Sequence, residues 1–522
     1  MLLDGDKIPQ NVLSELQKDY EVVKSLLQTS DQDTDLNESY CERLNSARNI
    51  IKKMVVKISS FSNDHGYSLR GTFWTIHANV DSISEEISDQ EENLKKAFEE
   101  FTHIKNRELC VLQEIEALNQ LGWIWIHRAC YEEGRKHLES ANDLFTEYSS
   151  KSNNLHNIDS LLDPSSFQKS NYILETSNLC TACALANAYQ KLGLHEEAAK
   201  KCLYALDRQL ELGNYDPIDW CEKALSILSH LMKNSMFLTA KKYLAITFTI
   251  CSKKETMEYE RYPRIFANAQ GQLGKFCLSI MERKEISNDK EVPIPSVIEL
   301  DPDVMSIPTK PVTSLEEALT MYTIGCKSLN LAAKYFTLDD HCIDYIIIVQ
   351  CMCSMLHVIV KFQSSPEKKY KTYRKQVEMM DKVLKILNPS HYMEESRSLW
   401  MESGRSYEEM FKIKEDSKQR NTVISLAIHN YTKFVESFTL PSITDSEEGI
   451  SVIVAYLHLG KLYGKLQPPK DVKYARQCQW ECYSLIRNFC QQNPTSPIIL
   501  KNKEVITEML EFIDSFHAIV KK

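Results

Sequence analysis

The amino-acid sequence predicts an all-α protein, a solenoid of antiparallel helix pairs arranged in two halves joined by a linker. Three observations predict it. Glycine and proline are scarce, a helix-pair pattern recurs along the chain, and an acidic, Pro-containing stretch interrupts that pattern near residue 300.

The 522 residues include 14 Gly and 16 Pro, where average usage gives roughly 37 and 26. Turns and sheet corners use glycine heavily, so the deficit favours helices. A hydrophobic share of 43% supplies a core. The net charge of −10 argues against nucleic acid, whose phosphates require a basic face. An acidic scaffold attracts a basic partner surface instead. The 16 cysteines are scattered, mostly singly, along apolar helical faces. The start, Met1-Leu2-Leu3-Asp4-Gly5-Asp6, lacks the apolar length of a signal peptide, so reduced thiols and a cytoplasmic location are expected. The longest apolar run, Ile343 to Phe362, contains Asp344, Gln350, His357 and Lys361. Those groups make a bilayer span costly, and a buried solenoid helix is expected instead.

The repeats come next. One copy has Leu121-Gly122 and Trp125 on its first helix, then Gly134, Leu138 and Ala141 on its second. Another has Leu185-Ala186 and Tyr189, then Ala198, Cys202 and Ala205, with Gly193 in the turn between. A weaker copy has Ile227-Leu228 and Leu231, then Phe237, Ala240 and Leu244. Leu273-Gly274 with Cys277, and Leu459-Gly460 with Tyr463, mark further first helices, and Tyr474-Ala475 opens a second helix. Small residues let two helices approach, and large ones fill the remaining space. This is the tetratricopeptide-like pattern. The copies are not tandem: Gly134 and Ala198 stand 64 residues apart, Ala198 and Ala240 stand 42 apart. Longer helices or intervening loops are therefore expected. The alternative is an unrelated helical bundle with chance Leu-Gly pairs.

The loops divide the chain. Polar stretches run from Thr29 to Ser39 and from Ser149 to Ser170, and Ser287 to Thr313 holds five prolines. The expected organisation is an N-terminal half, 1–285, whose first ~70 residues are divergent, a linker, 286–312, and a C-terminal half, 313–522. Helix starts are marked by Asp216-Pro217, where an Asp cap precedes Pro, and by Thr313-Ser314 and Ser446-Glu447-Glu448.

No catalytic, metal or cofactor site emerges. Gly271-Gln272-Leu273-Gly274-Lys275 lacks phosphate-loop spacing. Cys351 and Cys353 diverge on a helix, so with His357 they read as core rather than as zinc ligands. The acidic run Glu85-Glu86 to Glu91-Glu92 and the basic run Lys368 to Lys375 read as solvated helix faces. A clamp for an acidic chaperone tail needs Lys and Asn where this chain has Asn119 and Trp123. What remains is a binding scaffold, with an unspecified protein partner as the general alternative.

A specific resemblance narrows this. Arg208-Gln209-Leu210, Asn214-Tyr215, Pro217-Ile218 and Trp220 resemble the corresponding stretch of the kinesin-binding protein family. Further matches follow in the same order: Asn79-Val80 with Glu85-Glu86 and Glu91-Glu92, Val349-Gln350, Leu387-Asn388-Pro389 with Tyr392, and Leu462-Tyr463-Gly464-Lys465. They cover roughly residues 75 to 515. The resemblance implies a right-handed solenoid that binds kinesin motor domains on their microtubule-facing side and keeps them off the track. It further implies an indirect association with microtubules and transported organelles, a cytoskeleton-associated location, and an influence on neuronal and axonal development. It also implies a binding groove near Asn187, Gln209, Ser226 and Ser229, of which Gln209 matches the family identically. Tyr215 and Trp220 are expected to hold a repeat junction. Neither membrane insertion nor a cofactor is expected.

Overall fold

The computed structural model describes residues 7–28, 38–83, 87–150, 155–163, 171–213, 215–284, 298–413, 417–438, 449–466, 472–494 and 496–520. Among them every regular element is helical. Two compact units are present, the first running to Ile227 and the second beginning at Leu228, with Ile298 grouping with the first.

The first unit contains α1 (Gln10–Leu27), α2 (Glu38–Lys57), α3 (Asp64–Ile83), α4 (Ile87–Thr102), α5 (Val111–His127), α6 (Tyr131–Tyr148), the short α7 (Ile158–Leu162), α8 (Asn171–Lys191) and α9 (His195–Leu212). It ends within α10 (Pro217–Lys233). The second contains α11 (Phe237–Cys251), α12 (Lys254–Met257), α13 (Tyr262–Glu282), α14 (Pro302–Met305), α15 (Leu315–Ala332) and α16 (Cys342–Phe362). It continues with α17 (Pro366–Leu384), α18 (Met393–Ile413), α19 (Ser417–Glu436), α20 (Gly449–Tyr463), α21 (Val472–Gln492), α22 (Pro497–Lys501) and α23 (Lys503–Val520).

Within each unit the packing is solenoid-like, most long helices lying against a neighbour in sequence, while the short α7 lies on α1 and α3 and the short α14 on α11. The closest pairs are α3 with α4, α5 with α6, α8 with α9, α13 with α15, α17 with α18, α18 with α19, and α20 with α21. Steric fit explains the pairing. A Cβ on Gly122 would fall 2.5 Å from Leu138, on Gly274 2.4 Å from Leu329, and on Gly460 2.3 Å from Tyr483. Gly71 meets Phe101 and Gly404 meets Tyr431 in the same way. Each glycine lets a second helix seat a large side chain on the first helix's backbone.

The turns repeat as well. Ala129, Gly193 and Ser235 all take left-handed backbone, with φ of 59°, 75° and 61°. After each, an amide closes back on the first helix: Cys130 N to Trp125 O, Leu194 N to Tyr189 O, and Met236 N to Leu231 O, all at 2.9 Å. This is the Schellman ending, which satisfies carbonyls that the helix leaves open. Helix starts use side-chain caps. Ser314 and Glu317 form a capping box at α15, and Asp216 accepts from Asp219 N at 2.8 Å before α10. The cap expected at Ser446-Glu447-Glu448 lies outside the described residues.

The division between units falls inside α10, not at the expected linker 286–312. Residues 285–297 lie outside the described residues, but the helices flanking the stretch, α13 and α15, are a close pair within the second unit. The physical reason is the seat of Leu329 on Gly274. The apolar α16 is long enough to cross a bilayer, but 61% of its apolar window is buried, and it packs on α13, α15, α17 and α18.

Candidate partner-binding faces

In the first unit the leading helices of the pairs lie side by side, α3 on α5 and α5 on α8. Polar side chains bridge them. Asn79 Nδ2 donates to Glu116 Oε1 at 2.8 Å, Asn119 Nδ2 to Ser177 O at 3.1 Å, and Thr181 Oγ1 to Asn119 Oδ1 at 2.8 Å. Lys223 of α10 is near enough to act electrostatically on the Cys180 and Cys183 thiols of α8. Glu116 is open to solvent, yet enough protein surrounds it that desolvation pushes its carboxyl up, against the hydrogen bond from Asn79. An accessible but crowded acid is what the floor of a groove produces.

The expected contact residues are distributed over three helices. Ser226 and Ser229 share an exposed face of α10, and the Ser226 hydroxyl donates to Lys223 O at 2.7 Å. Asn187 is half-buried on α8, and Gln209 is half-buried in the last turn of α9. Within the second unit, Ser229 lines a cleft with Lys233, Lys275, Glu282, Arg283 and Lys284.

The repeat positions divide by burial. Leu121, Gly122, Gly134, Ala141, Tyr189, Ala205 and Trp220 are buried, while Trp125, Ala198, Tyr215 and Tyr463 are half-buried. The Tyr189 hydroxyl donates to Glu139 at 2.8 Å. Trp220 Nε1 donates to Leu206 O at 3.1 Å, and the Tyr215 ring lies 6.3 Å from that of Trp220. These contacts join α9 to the start of α10.

In the second unit, α13, α16, α18 and α20 are the leading helices. Gln350 Nε2 donates to Ser398 Oγ at 2.7 Å, and His458 Nδ1 lies 2.7 Å from Glu408 Oε2. A smaller cleft here is lined by Glu282 of α13, His357 of α16, Gln376 of α17, and Glu402, Arg405 and Glu409 of α18.

The motifs set aside in the sequence lie on regular helices. Gly271 to Lys275 is part of α13. Cys351 and Cys353 are buried, burial pushing both thiols up, Cys351 to about 12. His357 is exposed on the same helix. Among the described residues no cluster of His, Cys, Asp and Glu could hold a metal ion. Glu85 and Glu86 lie outside the described residues; Glu91 pairs with Lys95 at 2.8 Å and with Arg128 at 2.6 Å. In the basic run, Lys371 pairs with Glu367 and Arg374 with Glu378. Two acids, Glu116 and Glu402, were not singled out in the sequence. The only local signal is an acid set among apolar neighbours, as in Leu399-Trp400-Met401-Glu402.

Paired helices, glycine-seated junctions and open leading-helix faces define a helical-repeat scaffold. Residues 280–515 match the family described as KIF-1 binding protein C terminal. The chain is 25% identical to a KIF-binding protein of Gallus gallus, across 79% of this chain and 80% of that one. It is also 25% identical to the KIF-binding protein of Homo sapiens, across 80% and 79%. A solved structure of kinesin binding protein (KBP) shares the fold, with a TM-score of 0.66, 17% identity, and coverage of 97% of this chain and 98% of that one. The chain is thus similar to KIF-binding proteins over about four-fifths of its length, and its C-terminal part matches their family model.

Proposed function

We propose that the chain is a non-catalytic adaptor that binds kinesin motor domains on their microtubule-facing surface and so prevents attachment to the track. The observation that carries this reading is the likeness, over about four-fifths of both chains, to relatives named for binding KIF proteins. The charge supports it. A surface that grips acidic tubulin must be basic, and a chain of net charge −10 complements it. Exposed Glu116 and half-buried Glu402 lie on leading helices, and an approaching basic surface favours the ionised form of each. Covering the track-binding face blocks attachment sterically and requires no chemistry. Asn187, Gln209, Ser226 and Ser229 are the proposed contacts. The protein would act in the cytoplasm, in association with the cytoskeleton, on microtubule-based transport, including transport that serves neuronal and axonal development.

The test is direct binding. The full chain is titrated calorimetrically with isolated motor domains from a broad kinesin panel. Saturable binding by a subset is expected. If no motor binds, the reading is wrong and the scaffold has a different partner.

A further inference from the structure

The smaller cleft of the second unit has a volume of about 200 Å³. Three carboxylates line it, Glu282, Glu402 and Glu409, against a single arginine, Arg405. His357 also lines it; although its side chain is exposed, partial desolvation by the surrounding protein, then the positive charges of Lys361 and Arg405, lower its pKa against the opposing charge of Glu409. The imidazole is therefore neutral near pH 7. Glu409 pairs with Lys412 at 2.6 Å, so Glu282 and Glu402 are the lining acids left to face Arg405 and an incoming cation.

An independent feature points to a ligand. Gln376 lines the cleft and is only 3% exposed. Its Nε2 donates to the Cys353 carbonyl at 2.6 Å, and its Oε1 has no donor. A buried carbonyl oxygen without a donor is costly. The unmet need is thus for N–H groups, at the amide as well as at Glu282 and Glu402. Buried Tyr373 and Met380 add apolar lining on which an aliphatic stem can lie. The volume suits one side chain rather than a helix.

We propose that this cleft is a receptor for a single basic side chain, lysine or arginine, presented by a protein partner. The inference deepens the preceding reading, because it names the group that a basic motor surface would insert, and it rests on that reading for the partner's identity alone. An ammonium or guanidinium supplies several N–H donors and meets Glu282, Glu402 and Gln376 Oε1 together.

Proton linkage gives the site a signature. Burial pushes the Glu402 carboxyl up to about 7, with Arg405 opposing. The groups facing it are Cys353 and His357 from α16, Tyr373 from α17, Glu282 from α13, and Arg405 and Glu409 from its own helix. Burial raises the Cys353 thiol and the Tyr373 phenol, so both stay neutral near pH 7. A cation favours the ionised carboxyl, so binding releases a proton and affinity rises with pH through 7.

The test uses the full chain and a neutral-flanked peptide, Ac-Gly-Gly-Arg-Gly-Gly-NH2, with its citrulline counterpart as the uncharged control. Calorimetry runs at pH 7 in two buffers of different ionisation enthalpy. The arginine peptide should bind with proton release, and the citrulline peptide should not bind. Glu402→Gln should weaken binding on the order of tenfold and abolish proton release. Equal binding of both peptides, or an unchanged Glu402→Gln titration, overturns the inference. Glu409→Gln provides a second variant, expected to weaken binding while keeping proton release. A motor domain binding Glu402→Gln as well as wild type overturns this inference and leaves the motor reading intact. Arginine-peptide binding with no motor binding does the reverse.

Discussion

Two glycines three residues apart on α13 separate backbone propensity from steric fit. At Gly274 an added methyl would sit 2.4 Å from Leu329 Cγ and 2.5 Å from its Cδ2. Leu329 is 1% exposed and in the core. The clash involves the branch atom rather than a flexible tip, so the side chain or the helix must shift. At Gly271 the nearest atom to an added methyl is Ala332 Cβ at 4.0 Å, an ordinary contact. Both substitutions to alanine gain about 1 kcal/mol of helix propensity. Overpacking at Gly274 costs about 1–3 kcal/mol. Gly271→Ala should therefore stabilise the second unit by about 1 kcal/mol, and Gly274→Ala should leave it unchanged or weaken it by up to about 2 kcal/mol. Hydrogen exchange of the α13 and α15 amides reads the difference locally, with urea unfolding as the global check. Leu329→Ala in the Gly274→Ala background should cost less than it does alone, because the crowding is relieved. If both glycine variants shift exchange in the same direction by the same amount, the seat of Leu329 does not define this pair.

Three further outcomes are expected. Glu402 ionises less readily in the folded chain, with a pKa of about 7 against an ordinary 4.5. Its contribution is therefore favourable below pH 4.5 and is lost as pH rises through 7. At about 1.4 kcal/mol per pKa unit the loss is at most about 3.5 kcal/mol, so Glu402→Gln should be more stable than wild type at pH 8 and no more stable at pH 4 by urea unfolding. At the left-handed turn positions, Ala129→Gly should stabilise and Gly193→Ala destabilise the first unit, each by about 0.5–1 kcal/mol, as seen in thermal unfolding. Joint reversal of Lys368, Lys369 and Lys371 to glutamate should preserve helical circular dichroism, since Lys368 and Lys371 are exposed and Lys371 pairs with exposed Glu367; loss of helix would show that the run packs inward.

The helical class and three of the glycine seats were legible in the sequence, because Leu121-Gly122, Leu273-Gly274 and Leu459-Gly460 sit in apolar helical periodicity. Gly71 and Gly404 lack the preceding leucine, and their partners Phe101 and Tyr431 lie on another helix, so only the fold joins them. Gly193 announced its turn, whereas Ala129 and Ser235 adopt the same left-handed backbone without glycine. The prolines near residue 300 suggested a joint between halves, but the complementary surfaces of α13 and α15 decide the pairing across that stretch. The cleft was least legible. Its acids come from α13 and α18, and its unsatisfied amide comes from α17. Local spacing carries no record of their meeting.

The central claim is that the chain and the microtubule compete for the same face of the motor. A three-component sedimentation assay tests it most directly, with a kinesin motor domain, polymerised tubulin and increasing amounts of the full chain. The account predicts that the motor moves from pellet to supernatant as the chain is added, while the chain stays in the supernatant. A motor that remains in the pellet and carries the chain down with it would contradict the account, because the bound face would then be one the track leaves free.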